Sequence, residues 1–281
     1  MKQLNLLILA FLLLASCQQG TDFQSISGVS LAKELIETKA DSGLVILLKD
    51  SKAVAKVNLI LEDNLYKESN EQAFQTKRNM GTLLSPAYLM EISDCVSLTD
   101  TVDVGNGIYI KDGIQIEDHN ANRGGYGVIN AEQVIAFDSK IGMVKLLERT
   151  QGIDEKISSL GIQDFQATPL SLVTYFDRIA HEDTTLYSPE QMKGIRKALR
   201  MVVTSGTGKN LDLENLEVSG KTGKADKNEI SCCAYFEMEG SIYTCLVIIS
   251  NPKEGYPSGG MMCGEVIKRI IKDIKEKGFV K

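Results

Sequence analysis

The last third of the chain carries the pattern that most restricts its folding. Three runs, LENLEVSGK, ISCCAYFEM and IYTCLVIIS, are apolar and rich in β-branched residues, the composition of strands. Glu239-Gly240 separates the last two and reads as a tight hairpin turn. GGMMCGEVIKRIIKDIKEKG follows, with Cys263, Val266, Ile267, Ile270, Ile271 and Ile274 at helical spacing and the charges opposite them. Gly278 is a natural stop. A hairpin buries nothing by itself, so this order predicts an antiparallel sheet with the closing helix laid over one face.

The beginning of the chain completes the sheet. LAKELIETKA reads as a short helix, and GLVILLKDSKAVAKVNLIL as two strands around the turn Asp50-Ser51. The middle is mixed and helical. NAEQVIAFDSKIGMVKLLE opens on Asn130 as N-cap with Gln133 three residues later. TPLSLVTYFDRIAH and SPEQMKGIRKALRMVVTSG set Pro169 and Pro189 just inside helices capped by Thr168 and Ser188. The second of these carries Ile195, Leu199, Val202 and Val203 on one face, and Gly206 can end it. The expected fold is α+β: an antiparallel sheet flanked by helices, with an inserted helical lobe.

Composition excludes some functions. With 281 residues, 43% of them hydrophobic, the chain can bury a large core. A net charge of −6 lacks the concentrated basic face that nucleic acid needs. Beyond Cys17 stand Cys95, Cys232, Cys233, Cys245 and Cys263, an odd number that cannot all pair. Their spacing fits no zinc pattern, and no metal or other cofactor is expected. Cys232 and Cys233 are adjacent on a strand and point to opposite faces, so buried free thiols are the reading. His119 lies in a polar loop run, His181 near a helix end, and the Met-Met-Cys run at Met261 reads as core.

The first residues are a targeting segment. MKQLNLLILAFLLLASC has an early Lys2, an apolar run from Leu6 to Leu14, and small residues before Cys17. The run is too short to span a bilayer comfortably, and its end resembles a bacterial lipobox. The expected division is residues 1–16 as a lipoprotein signal peptide, 17–29 as a polar tether and 30–281 as the folded domain. A lipid on Cys17 would hold the protein to a membrane of the bacterial cell envelope.

One short motif remains, Lys221-Thr222-Gly223 within SGKTGKAD. It is not a phosphate loop, because there the Lys follows a Gly-rich loop and opens a helix. On a strand, Lys-Thr-Gly is one of the active-site motifs of penicillin-recognising enzymes. Longer stretches agree. VVTSGTGKNLDLENLEVSGKTGKAD resembles the run of class B penicillin-binding protein transpeptidase domains, the septal and elongation types, in which V-V-x-x-G-T precedes G-K-T-G-T-A. AYFEMEGSIYTCLVIISNPKEGYPSGGMMCGEVIKRI resembles their hairpin and closing helix, VAKVNLILEDNLYKESNEQAF their opening strands, and LTDTVDVGNGIYI their D-T-V-D-T-G-N-G stretch. GGYGVINAEQVIAFDSKIGMVKL resembles their G-G-Y-G run into the second motif.

The resemblance implies a Ser nucleophile with a Lys three residues later, a second motif S-x-N, and Lys-Thr-Gly holding the substrate carboxylate. Here NMGTLLSPAYLM replaces E-P-G-S-T-F-K. With Gly81 as the family Gly, Thr82 takes the nucleophile position and Ser85 the Lys position. In an alternative frame Ser85 is the nucleophile and Tyr88 stands for Lys. The second motif reads Asp138 and Lys140. Lys221, Thr222 and Gly223 survive, and the N–H of Lys224 corresponds to an oxyanion-hole donor. Lys140 as a displaced base for Thr82 competes with an ion pair of Asp138 with Lys140 or Lys221.

The functional expectation is a lipid-anchored, catalytically inactive transpeptidase-like domain with a binding or scaffolding role in peptidoglycan biology. Its partners would be the peptidoglycan stem peptide or cell-wall and division proteins, not nucleic acid. One alternative is an active serine-type D,D-transpeptidase, carboxypeptidase or β-lactam-binding enzyme using Ser85 or Thr82. Another is a secreted interaction protein unrelated to the cell wall.

Overall fold

Both ends of the chain meet in one sheet. The computed structural model describes residues 21–150, 166–225 and 228–277. Helix α1 (Thr21–Thr38) leads into β1 (Ser42–Lys49), β2 (Lys52–Glu62) and β3 (Leu65–Glu68). The middle follows with β4 (Arg78–Asn79), a 3₁₀ turn (Gly81–Leu84), α2 (Ser85–Glu91), β5 (Thr101–Gly105), β6 (Ile108–Lys111), β7 (Ile114–Glu117) and β8 (Gly127–Asn130). Then come α3 (Ala131–Phe137), α4 (Lys140–Leu147), β9 (Gln166–Ala167), α5 (Pro169–Ala180) and α6 (Pro189–Thr204). The chain ends with β10 (Val218–Lys224), β11 (Glu229–Met238), β12 (Ser241–Ser250), a π turn (Gly259–Cys263) and α7 (Gly264–Lys277).

The main sheet is antiparallel in the order β10-β11-β12-β1-β2-β3. Its two predicted hairpins have the expected two-residue turns. Asp50 and Ser51 have φ of 46° and 63°, and Glu239 and Gly240 have 53° and 73°, the left-handed pair that matches strand twist.

Alternation along the strands divides the core in two. Val45, Leu47, Cys232, Cys245, Val247 and Ile249 face α1 and α7, where they meet Leu31, Leu35, Val266, Ile267 and Ile270. Leu44, Ile46, Cys233, Leu246 and Ile248 face the helical lobe. Each fully buried aliphatic side chain contributes about 1.5–3 kcal/mol. Cys232 and Cys233 fall on opposite faces, and both are buried free thiols.

The helix caps follow the sequence. Asn130 and Gln133 form a reciprocal capping box, as do Ser188 and Gln191, and Thr168 caps α5. Ile195, Leu199, Val202 and Val203 are all buried.

Four expectations change. Helix α1 begins at Thr21, so residues 21–29 are helical where a tether was expected; Ile26 and Ser27 are buried, which extends the helix towards the N-terminus. The segment from Asn130 splits into α3 and α4, because Asp138 adopts φ 57° and Ser139 caps the second helix. LENLEVSGK is a strand only from Val218; Leu213 and Leu216 close a small bridge instead. Met261 is 62% exposed while Met262 and Cys263 are buried. At Gly259 and Gly260 a Cβ would lie 2.2 Å from Ser231 O and 2.0 Å from Thr207 O, so the π turn presses its backbone inward there and Met261 faces out. The leader and Cys17 lie outside the described residues, as does Gly278. Among the described residues no helix is long and apolar enough to cross a membrane.

Candidate active site

The 3₁₀ turn that carries Thr82 lies against the end of β10. Gly81 has φ +52°, and a Cβ on it would fall 2.1 Å from Lys224 O. Only glycine fits, both for its dihedral and for the close approach. Asn79 Oδ1 accepts the Gly81 N–H at 2.8 Å and fixes the turn. On the facing strand a Cβ at Gly223 would meet Leu83 Cβ at 2.6 Å. Two glycines thus let the turn and the strand touch, which places Thr82 beside Lys224.

Asp138 enters from the other side. It is the left-handed C-cap between α3 and α4. Buried Asp118 holds this junction, accepting from Ser139 Oγ at 2.6 Å and Ile141 N–H at 3.2 Å.

The three sequence motifs therefore converge. Thr82 Oγ1 donates to Asp138 Oδ2 at 3.0 Å. Lys221 Nζ donates to Asp138 Oδ1. The Lys224 N–H, the expected oxyanion donor, points at Thr82 Oγ1 at 3.2 Å. Lys221 is fully buried, whereas the Asp138 side chain is 16% exposed. A buried ammonium without a counter-charge costs several kcal/mol, and Asp138 is the carboxylate placed to supply one for Lys221. The Asp138–Lys221 pair considered from sequence is the one that forms.

The remaining predicted residues are placed differently. Ser85 opens α2 and is buried, with no hydrogen-bond partner for its Oγ among the described residues. Lys140 is exposed at the start of α4, and among the described residues no hydrogen bond joins it to Thr82, Asp138 or Lys221. Thr222 is buried, and its hydroxyl is 2.5 Å from that of Thr207. The Lys224 side chain is exposed at the strand end.

Several site residues had no signal that could be read locally. Thr207 was visible only as part of V-V-x-x-G-T. His119 is exposed, as a loop residue should be, but its Nε2 lies 3.0 Å from Tyr126 Oη. Tyr126 stacks on Phe137 with centroids 4.9 Å apart, and Phe137 precedes Asp138. Desolvation lowers the His119 pKa, and the Asp138 charge partly opposes it. Desolvation also raises the Tyr126 phenol to about 12. His181, at the end of α5, lies with Nδ1 2.9 Å from Asp177 O in the last turn of that helix.

Residues 147–272 match the family described as penicillin binding protein transpeptidase domain. That stretch includes Lys221-Thr222-Gly223 but not Thr82 or Asp138. Over 96 residues the chain is 31% identical to stage V sporulation protein D of Bacillus subtilis (strain 168), a match covering 31% of this chain and 15% of that protein. The transpeptidase domain of Burkholderia pseudomallei penicillin-binding protein 3 superposes with a TM-score of 0.75 at 18% identity, covering 92% of this chain and 95% of that one. Penicillin-binding protein 3 of Mycobacterium tuberculosis gives 0.73 at 13% identity, covering 92% and 78%.

Proposed function

From a chain with the fold of a penicillin-binding-protein transpeptidase domain, we propose a cell-envelope protein that binds in its transpeptidase groove without acylating. It is a pseudoenzyme with a binding or scaffolding role in peptidoglycan biology, held to the membrane by a lipid on Cys17 after removal of residues 1–16. The observation that carries this reading is the closed set Thr82–Asp138–Lys221. A hydroxyl needs an adjacent base to become a nucleophile, and that base typically supplies 10²–10⁴-fold. Here the group that accepts the Thr82 proton is a carboxylate whose other oxygen is held by a buried ammonium. Lys221 donates to Asp138 and to the main-chain carbonyl of Thr222, so two of its three ammonium protons are already engaged within the protein.

The edge of the main sheet offers a feature useful for binding. β10 is an edge strand of the main sheet, and an extended stem peptide or a strand of a division protein pairs with such an edge through its main chain. Incubating the purified protein with a penicillin and measuring intact mass tests the reading. The expected result is an unmodified mass; a stable adduct at stoichiometric yield overturns it.

One observation favours a second reading, residual acyl transfer: the Thr82–Asp138 hydrogen bond has the form of a nucleophile–base contact. That reading requires labelling of the wild type that Thr82→Ala abolishes.

A further inference from the structure

A crevice of about 430 Å³ runs between α6 and the beginning of β10, with Arg196, Arg200 and Thr204 on the helix wall. Ser219 and Tyr235 form its strand side. It lies upstream of Lys221 on the strand, and none of Thr82, Asp138 or Lys224 lines it.

The cations of this crevice are arranged at a cost. Arg196 and Arg200 stand one helical turn apart, and Lys197 adds a third positive charge. Like charges at this spacing destabilise a helix. Lys197 is answered by buried Glu132 at 2.8 Å. The two arginines are answered less completely. Arg196 has Glu182 at 3.3 Å and Arg200 has Asp212 at 3.0 Å, but those carboxylates are 65% and 47% exposed, where ion pairs contribute little.

Main-chain carbonyls fix both guanidiniums instead. Arg196 Nη1 donates to Ile179 O at 3.0 Å and Ala180 O at 2.8 Å. Arg200 Nη1 donates to Val218 O at 2.8 Å. Carbonyls orient a guanidinium without neutralising it, and each guanidinium has five N–H donors. Arg196 also lies over the Tyr235 ring, 5.5 Å from its centroid. Two arginines are thus held in place beside a cavity, and among the described residues the Nη2 of Arg196 and the Nε of Arg200 carry no partner, leaving one charged donor group from each for an oxyanion.

We propose that this crevice is a second binding site, for a small organic carboxylate with a hydrogen-bonding body of about dipeptide size. The carboxylate meets Arg196 and Arg200, and the body meets the hydroxyls of Thr204 and Ser219. Glu217 on the rim disfavours a doubly charged anion such as phosphate. The site is independent of the reading of Thr82 and its neighbours.

The test is calorimetric titration of the full chain at fixed ionic strength with N-acetyl-alanyl-alanine, its C-terminal amide and inorganic phosphate. The carboxylate is expected to bind saturably, with the amide and phosphate at least tenfold weaker. Amide chemical-shift changes should gather on α6 and residues 217–219. Thr204→Glu, at an exposed position, should abolish binding with an unchanged melting temperature. The proposal fails if no saturable binding occurs, if the amide or phosphate binds as well, if Thr204→Glu still binds, or if the shift changes centre on Thr82 and Lys224.

Discussion

Asp138 accepts the hydroxyl proton of Thr82 at 3.0 Å and, through its other oxygen, the ammonium of Lys221. One carboxylate therefore ties the turn that holds Thr82 to the strand that holds Lys-Thr-Gly. The sequence carries these residues 56 and 83 positions apart.

Breaking this link from one side should be costly. Asp138→Asn, which tolerates the left-handed backbone, leaves a buried ammonium without a counter-charge and should cost about 3–5 kcal/mol. Lys221→Met in the same background removes that ammonium and should restore much of the loss. Urea unfolding of the two single variants and the double variant measures the coupling; additive losses would show that the pair does not interact.

Gly81→Ala should disturb the site without touching its chemistry. The φ of +52° alone costs a non-glycine residue about 1–3 kcal/mol, and the new Cβ would lie 2.1 Å from Lys224 O. The turn has to withdraw from β10. The expected outcomes are a lower unfolding midpoint and faster exchange of the Lys224 amide proton, which hydrogen exchange reads directly.

Stability should fall as pH rises through the range of one glutamate. Glu34 of α1 is buried, and its pKa is raised to about 7 mainly by desolvation, against the lowering effect of Arg269 on α7. Glu37 and Glu265 share that guanidinium and add to the rise. The folded pKa lies above the unfolded one, so the unfolded chain loses this proton first. The contribution of Glu34 to stability is highest below about pH 4.5, declines up to about pH 7 and is flat above it. Glu34→Gln removes this slope. Its advantage over the wild type should be near zero at pH 4.5 and on the order of 3 kcal/mol at pH 8, from denaturant unfolding at each pH.

The parts of the fold legible in the sequence are those set by local chemistry. Asp50-Ser51 and Glu239-Gly240 identify their turns because few residue pairs accept that backbone. Asn130 with Gln133, and Pro189 after Ser188, mark helix starts through the first-turn N–H groups that need acceptors. Gly81 is legible as a special position, and the reason is its close approach to Lys224 O. Distant packing decided the rest. The start of α1 depends on the sheet beneath Ile26, and the outward turn of Met261 on contacts from Ser231 and Thr207. Tyr126 and His119 reach the site through a stack on Phe137 that no local pattern announces.

The placement of β1 between β12 and β2 has a consequence for biogenesis. Ser42 pairs with Ser250, so the central ladder cannot zip until nearly the whole polypeptide is available. A chain still emerging from a ribosome would show open strand edges and unshielded thiols at Cys232, Cys233 and Cys245. The shielding of these groups is therefore gained late, when the two outer segments of the chain join in one sheet.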